Sequence, residues 1–231
     1  MGGIPVIDIA AFSHGDDTDR KKIAAAVAHA VETIGFLSIT GHGVPVPLIN
    51  RVRESAWTFF GLPLGAKLAY LHPSHNLNRG YTPYAEEHNA ASAGTNAAAD
   101  LREGYIFGPL ELPEGIQPGT AAAHAYQPNI WPDALPDVAD AFRSYYTAVA
   151  NFNKTLLEIF ATALDLPPDY FETKFRDHSS VVRILHYPGQ TDIPEEGQLR
   201  CGAHTDFGGI TMLMQDDNGG LQVMGADGEW I

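Results

Sequence analysis

Between Leu135 and Leu164 the apolar residues Val138, Phe142, Tyr145, Val149, Phe152, Leu156, Ile159 and Phe160 recur at the helical period, and "DLPP" stops the run. A chain with so long an amphipathic helix must supply a layer for its apolar face. Past the helix the sequence changes character. "SVVRILHYPG" is a β-rich run ending at Pro188-Gly189, and "TDIPEEGQLR" is a polar connection. "CGAHTDFGGITMLMQ" and "GLQVMGADGEWI" come next, the second with a hairpin turn signal at Asp227-Gly228. Helices first and antiparallel strands later predict an α+β fold with a β-sandwich or barrel on the C-terminal side.

The N-terminal part reads more simply. "IPVID" is a short strand, and "DDTDRKKIAAAVAHAVETIG" predicts a helix with Asp and Thr cap candidates, an apolar face at Ile23, Val27, Ala30, Val31 and Ile34, and Gly35 as terminator. "FLSIT" predicts a strand broken by "GHGVP". Leu48, Val52, Ala56, Phe59 and Phe60 predict a second helix ending near Pro63. "NAASAGTNAAAD" and the segment from Pro109 to Pro136 read as loops.

The 231 residues suffice for one substantial domain, and 14 basic against 28 acidic side chains give a net charge of -14. That balance argues against nucleic acid or an anionic membrane as partner, since both need clustered Lys and Arg. A small-molecule substrate is expected instead. Arg183 and Arg200 are the cations nearest in sequence to His204 and Asp206, should the substrate be anionic. The lone cysteine, Cys201, excludes an internal disulfide framework and reads as a small buried residue. With no signal peptide and no membrane-spanning run, the expected location is cytoplasmic. Oligomeric state is not legible.

The chemistry-bearing feature is "HTD". On a strand, His204 and Asp206 share one face while Thr205 points away. An imidazole nitrogen and a carboxylate oxygen together suit Fe(II) in a facial arrangement of two His and one carboxylate. Zinc is also chemically possible. Alone, the triplet does not identify a metal site, because an exposed strand His beside a surface Asp gives the same letters.

Its company extends the argument. "IPVIDI", "GFLSITGHGVP", "FFGLPLGAKLAY", "RGYTPY", "REGYIFG", "NIWP", "RILHYPG" and "AHTDFGGITMLMQDDNGGLQVMGADGEWI" occur in that order along nearly the whole chain. In these stretches the chain resembles the isopenicillin N synthase-like family of non-haem iron oxygenases, most of which depend on 2-oxoglutarate. The resemblance implies a distorted double-stranded β-helix, or jelly roll, with N-terminal helices and a long helix packed on it. It implies a division into 1–120, a non-haem dioxygenase N-terminal region, and 121–231, the long helix with an incomplete jelly-roll core. It also implies Fe(II) on His204 and Asp206, with 2-oxoglutarate and O2 as co-substrates and Tyr187 hydrogen-bonding the 2-oxoglutarate carboxylate. Tyr187 is otherwise a core aromatic with a satisfied hydroxyl.

Several positions stay open. His186 should face away from Tyr187, in a structural or surface role. His42 matches a family position tied to the fold. Gly208 and Gly209 predict a bend or bulge past the ligands. Arg79, Tyr81 and Tyr84 either border a substrate opening or pack.

The family completes its triad with a distal His, followed by an Arg-x-Ser pair that grips 2-oxoglutarate, and the chain reaches Ile231 before either. The C-terminal part of the jelly roll is thus expected to be missing. The expected activity is oxidative decarboxylation of 2-oxoglutarate coupled to hydroxylation, desaturation or ring closure of a small molecule. Some relatives use no 2-oxoglutarate, and some form ethylene. The alternatives are a non-catalytic remnant or partner module that keeps part of the fold, and a zinc hydrolase.

Overall fold

The computed structural model describes residues 3–74, 78–88, 98–190, 193–195, 197–206, 208–225 and 228–231. Its elements run β1 (Val6–Asp8), α1 (Ala10–His14), α2 (Asp17–Thr33), β2 (Ser38–Thr40), α3 (Val46–Phe60), α4 (Leu64–Leu68), β3 (Gly80–Thr82), β4 (Glu103–Phe107), α5 (Ala121–Ala125), α6 (Pro136–Ala163) and β5 (Val182–His186). None of the helices among the described residues is long and apolar enough to cross a membrane.

The helices obey their sequence signals. Asp16 caps α2 with one carboxylate oxygen that accepts the N–H groups of Thr18 at 2.8 Å and Asp19 at 3.0 Å. These are two of the donors that a helix start leaves without partners. Gly35 follows the helix with φ of 81°, a left-handed conformation that a side chain disfavours. Substituting Asp16→Ala should cost about 1 kcal/mol, read as a lower thermal midpoint. The 28-residue α6 keeps the predicted span almost to the residue. The reading of Pro109–Pro136 as loop misses α5, which Thr120 caps by accepting the Ala123 N–H at 3.1 Å. Residues 89–97 of the predicted loop lie outside the described residues.

The chain forms two compact units. The first comprises Met1–Val46, Thr147–Asp177 and Leu213–Ile231. Here β1 and β2 pair in parallel, with Ile7 opposite Ile39, and the buried side chains include Ile9, Phe12, Val27 and Ile159. His42 serves this unit as expected. Its Nδ1 accepts the Val44 N–H at 3.1 Å and its ring lies 5.5 Å from that of Phe152. Val223 and Ile231 exchange both backbone hydrogen bonds, at 3.1 and 2.9 Å, so the predicted C-terminal hairpin is formed. Asp227 of its turn lies outside the described residues.

The second unit comprises Pro47–Tyr146 and His178–Met212. Its antiparallel sheet has the order β3-β4-β5. The central β4 is buried at every position, which explains why "YIF" is continuously apolar rather than alternating. Tyr105 and Phe107 of β4 share one face with Glu103. On that face Tyr105 meets Phe59 of α3, with ring centroids 4.7 Å apart, while Phe107 stacks on Phe142 of α6 at 5.3 Å.

The expected strand across "CGAHTDFGGITMLMQ" is a correction. Residues 201–206 and 208–215 form no ladder. An extended segment becomes a strand only when its backbone groups pair with a neighbouring backbone in register, and no such ladder includes these residues. Leu213 is 63% exposed, so the apolar pattern that suggested a buried strand is uncovered here. The bend predicted at Gly208 and Gly209 is present, and Gly208 has φ of 102°. Described strands therefore form a two-stranded and a three-stranded sheet within a mixed α/β fold.

Candidate metal centre

The sheet of the second unit carries polar groups on both faces. The register places Glu103 opposite His186. His186 donates from Nδ1 to Glu103 Oε1 at 2.8 Å, and its ring stacks on Phe60 at 5.1 Å. Glu103 Oε2 accepts from Lys67 Nζ at 2.7 Å and from the Tyr81 hydroxyl at 2.5 Å. Of the structural and surface roles open to His186, these contacts give it the structural one. Arg79, only 4% exposed, donates to the carbonyls of Asn78, Ala125 and Gln127. Arg79 and Tyr81 pack rather than border an opening, whereas Tyr84 is exposed.

Carrying the β4–β5 register one residue further sets Arg102 beside Tyr187, on the face away from Glu103. Tyr187 is 38% exposed as a residue. Partial burial, and then the neighbouring Cys201, which also hydrogen-bonds it, push its pKa up to about 12, against a lowering by Arg102. At neutral pH the hydroxyl therefore keeps its proton and can donate it. Cys201, expected to be buried, is only partly so.

Three residues beyond Cys201 the chain reaches the His/Asp pair. The side chains come together although the segment is irregular: His204 Nε2 lies 3.3 Å from Asp206 Oδ1. They are open to solvent, with side-chain exposures of 32% and 52%. His204 Nδ1 lies 2.8 Å from the Gly202 carbonyl, and because a carbonyl only accepts, Nδ1 carries the proton. With Nε2 unprotonated, the ring presents a lone pair there toward a carboxylate oxygen. Such a pair is satisfied by a proton on Nε2 or by a metal cation bound to both atoms. Two donors each about 2.1 Å from a metal and at a right angle to one another sit about 3 Å apart. The donor set and its spacing fit a divalent metal. Among the described residues no group of three or more His, Cys, Asp or Glu side chains is placed to hold one, so the pair supplies two ligands.

Arginines expected near the pair are engaged elsewhere or only lightly held. Arg183 contacts Glu87 at 3.3 Å and Asn78 at 3.1 Å, and Arg200 approaches the Tyr187 carbonyl at 3.5 Å.

Sequence reasoning passed over Asp100, Arg102 and Glu103, all at most 5% exposed. Asp100 Oδ1 accepts the Gly202 N–H at 2.8 Å. Arg102 lies 2.7 Å from Glu87 and 3.5 Å from Asp100. The signal was available: charged residues at 100, 102 and 103 stand just ahead of the apolar "YIF", with Gly104 between.

Comparison with known proteins bears on both halves. Residues 4–134 match the family described as the non-haem dioxygenase in morphine synthesis N-terminal region. Residues 178–231 match the 2OG-Fe(II) oxygenase superfamily. The 2-oxoglutarate-Fe(II) type oxidoreductase hxnY of Emericella nidulans is 36% identical over 98% of this chain, which spans 65% of its length. Validamycin A dioxygenase of Streptomyces hygroscopicus subsp. limoneus is 30% identical over 100% of the chain, which spans 63% of that enzyme. Among solved structures, a full-length Neurospora crassa protein in complex with alpha-KG and thymine superposes with a TM-score of 0.80 at 29% identity, covering 99% of this chain and 69% of that one.

Proposed function

The chain belongs to the 2OG-Fe(II) oxygenase superfamily, and from that premise we propose that it carries part of the active site of an Fe(II)- and 2-oxoglutarate-dependent oxygenase acting on a small organic molecule. His204 through Nε2 and Asp206 through its carboxylate would hold the metal. One observation carries this reading. The Nδ1 hydrogen bond to Gly202 selects, in the neutral ring, the tautomer that frees Nε2, and that nitrogen faces Asp206 at 3.3 Å.

When bound, Fe(II) supplies the oxidative chemistry, in which 2-oxoglutarate and O2 become succinate and carbon dioxide as the substrate is oxidised. The chain's own residues prepare that step. The carboxylate and neutral imidazole supply one negative charge to a divalent ion and leave positions for co-substrates. Tyr187, protonated at neutral pH, offers a hydroxyl to the 2-oxoglutarate carboxylate. The jelly-roll arrangement belongs to this proposal, supported by the likeness to the Neurospora crassa structure. A small-molecule substrate is consistent with the thymine bound in that structure and with validamycin A dioxygenase.

Titration with Co(II), followed by its visible absorption, tests the reading. His204→Ala and Asp206→Ala should each weaken binding by about tenfold or more. Unchanged affinity in both variants would overturn it. A second reading is a non-catalytic remnant or partner module that keeps part of the fold. It predicts that the Fe(II)-loaded chain forms no succinate from 2-oxoglutarate and O2.

A further inference from the structure

We propose that Asp100 is a positioning residue for the His204/Asp206 pair, acting through Gly202, with Arg102 as its charge partner. The inference rests on the metal reading and assigns a role to a buried carboxylate that contributes no ligand.

Asp100 is 2% exposed. A carboxylate so enclosed loses its hydration and persists only where hydrogen bonds and an opposite charge replace it. Both are present. Oδ1 accepts the Gly202 N–H at 2.8 Å, and Oδ2 lies 3.5 Å from Arg102 Nε, whose side chain is also 2% exposed. The same residue, Gly202, accepts the His204 Nδ1–H at its carbonyl, again at 2.8 Å. Gly202 is therefore held at its N–H by Asp100 and holds His204 by its carbonyl. Its orientation sets which way the imidazole points and which ring nitrogen is bare.

Neighbouring bonds tie the same two segments together. Gln198 Nε2 donates to the Ala99 carbonyl at 3.0 Å, and the Leu101 N–H donates to the Leu199 carbonyl at 3.1 Å. Asp100 is itself fixed by its own N–H to the Glu87 carbonyl at 2.8 Å. Residues 203–206 join no ladder, so among the described residues the Asp100 bond is the last tie to the fold before His204. A pair on an irregular, solvent-open segment needs such a tie if its two donors are to hold one spacing. Arg102 adds a second consequence. Placed beside Tyr187 by the sheet register, it couples the metal pair and the proposed co-substrate tyrosine to one buried ion pair.

The experiment combines Co(II) titration, amide hydrogen exchange and nitrogen NMR of the imidazole on the metal-free chain. In the wild type the Gly202 amide should be protected from exchange, and His204 in its neutral form should carry its proton on Nδ1. An unprotected Gly202 amide, or a proton on Nε2, overturns the proposal without any variant. Asp100→Ala should remove the Gly202 protection, mix the two tautomers and weaken Co(II) binding by about tenfold. Asp100→Asn keeps a carbonyl oxygen for the Gly202 N–H and should restore the tautomer and most of the affinity. A purely structural Asp100 would lower the thermal midpoint but leave tautomer and affinity of the folded chain unchanged, and that outcome overturns the proposal. His204→Ala separates the two readings. If it leaves Co(II) binding intact, the metal reading falls and this one with it. If it abolishes binding while a folded Asp100→Ala binds like wild type, only the positioning role falls.

Discussion

Replacing Glu103 by alanine should destabilise the chain by about 3–5 kcal/mol at neutral pH, measured as a fall in the urea midpoint. The size follows from what is left behind. Lys67, 8% exposed, would be left with the Phe60 carbonyl at 3.2 Å and the Tyr81 ring, its centroid 5.4 Å away, in place of a carboxylate, and the buried Tyr81 hydroxyl would lose its acceptor. Removing one partner of a buried pair costs far more than the pair contributes, because the survivor stays desolvated. Tyr81→Phe, which deletes a single neutral donor, should cost only about 1 kcal/mol. A Glu103→Ala loss no larger than that would show that water reaches Lys67.

The same cluster gives a pH signature. Burial pushes the Glu103 carboxyl up, but hydrogen bonds from Lys67, Tyr81 and His186, together with the Lys67 charge, outweigh it and hold the group below its ordinary value. A carboxyl depressed in the folded state contributes stability that is fully present above its unfolded value, about 4.3, and is lost as pH falls through the folded value. The gap between wild type and Glu103→Ala should therefore be widest near neutrality and narrow in acid. A gap that widened on acidification would contradict the sign.

Phe142→Ala is the second large effect, expected at about 3–5 kcal/mol. Phe142 is 0% exposed and stacks on Phe107, with Tyr105 at 5.6 Å on another side. Its loss would open a cavity where α6 meets β4, and aromatic rings so wedged cannot collapse to fill it. Phe142→Leu should recover much of the loss. Matching urea midpoints for Phe142→Ala and wild type would mean that α6 does not depend on that contact.

These two sites show how differently parts of the molecule were legible. Phe142 was readable because it recurs with Tyr145, Val149 and Phe152 at the helical period, and helix periodicity is a local property. The cap at Asp16 and the left-handed Gly35 were readable for the same reason, since each acts within a few residues of itself. Glu103 was not readable. Its partners lie at positions 67, 81 and 186, and nothing local says that these side chains will meet. The apolar run after Asp206 was legible as strand-forming, yet it stays irregular because a ladder depends on a neighbour that its own letters do not specify.

At the candidate centre the division is finer. The triplet's composition determined the donor types: one imidazole nitrogen and one carboxylate oxygen, separated by a single residue. Only the tertiary structure decided that Nδ1 bonds to Gly202, that Nε2 faces Asp206, and that Asp100 holds the Gly202 backbone. The physical reason is range. Side-chain chemistry and helical period are encoded within a few residues, whereas the orientation of a donor depends on groups about a hundred positions away, brought near only when the chain buries its apolar surface.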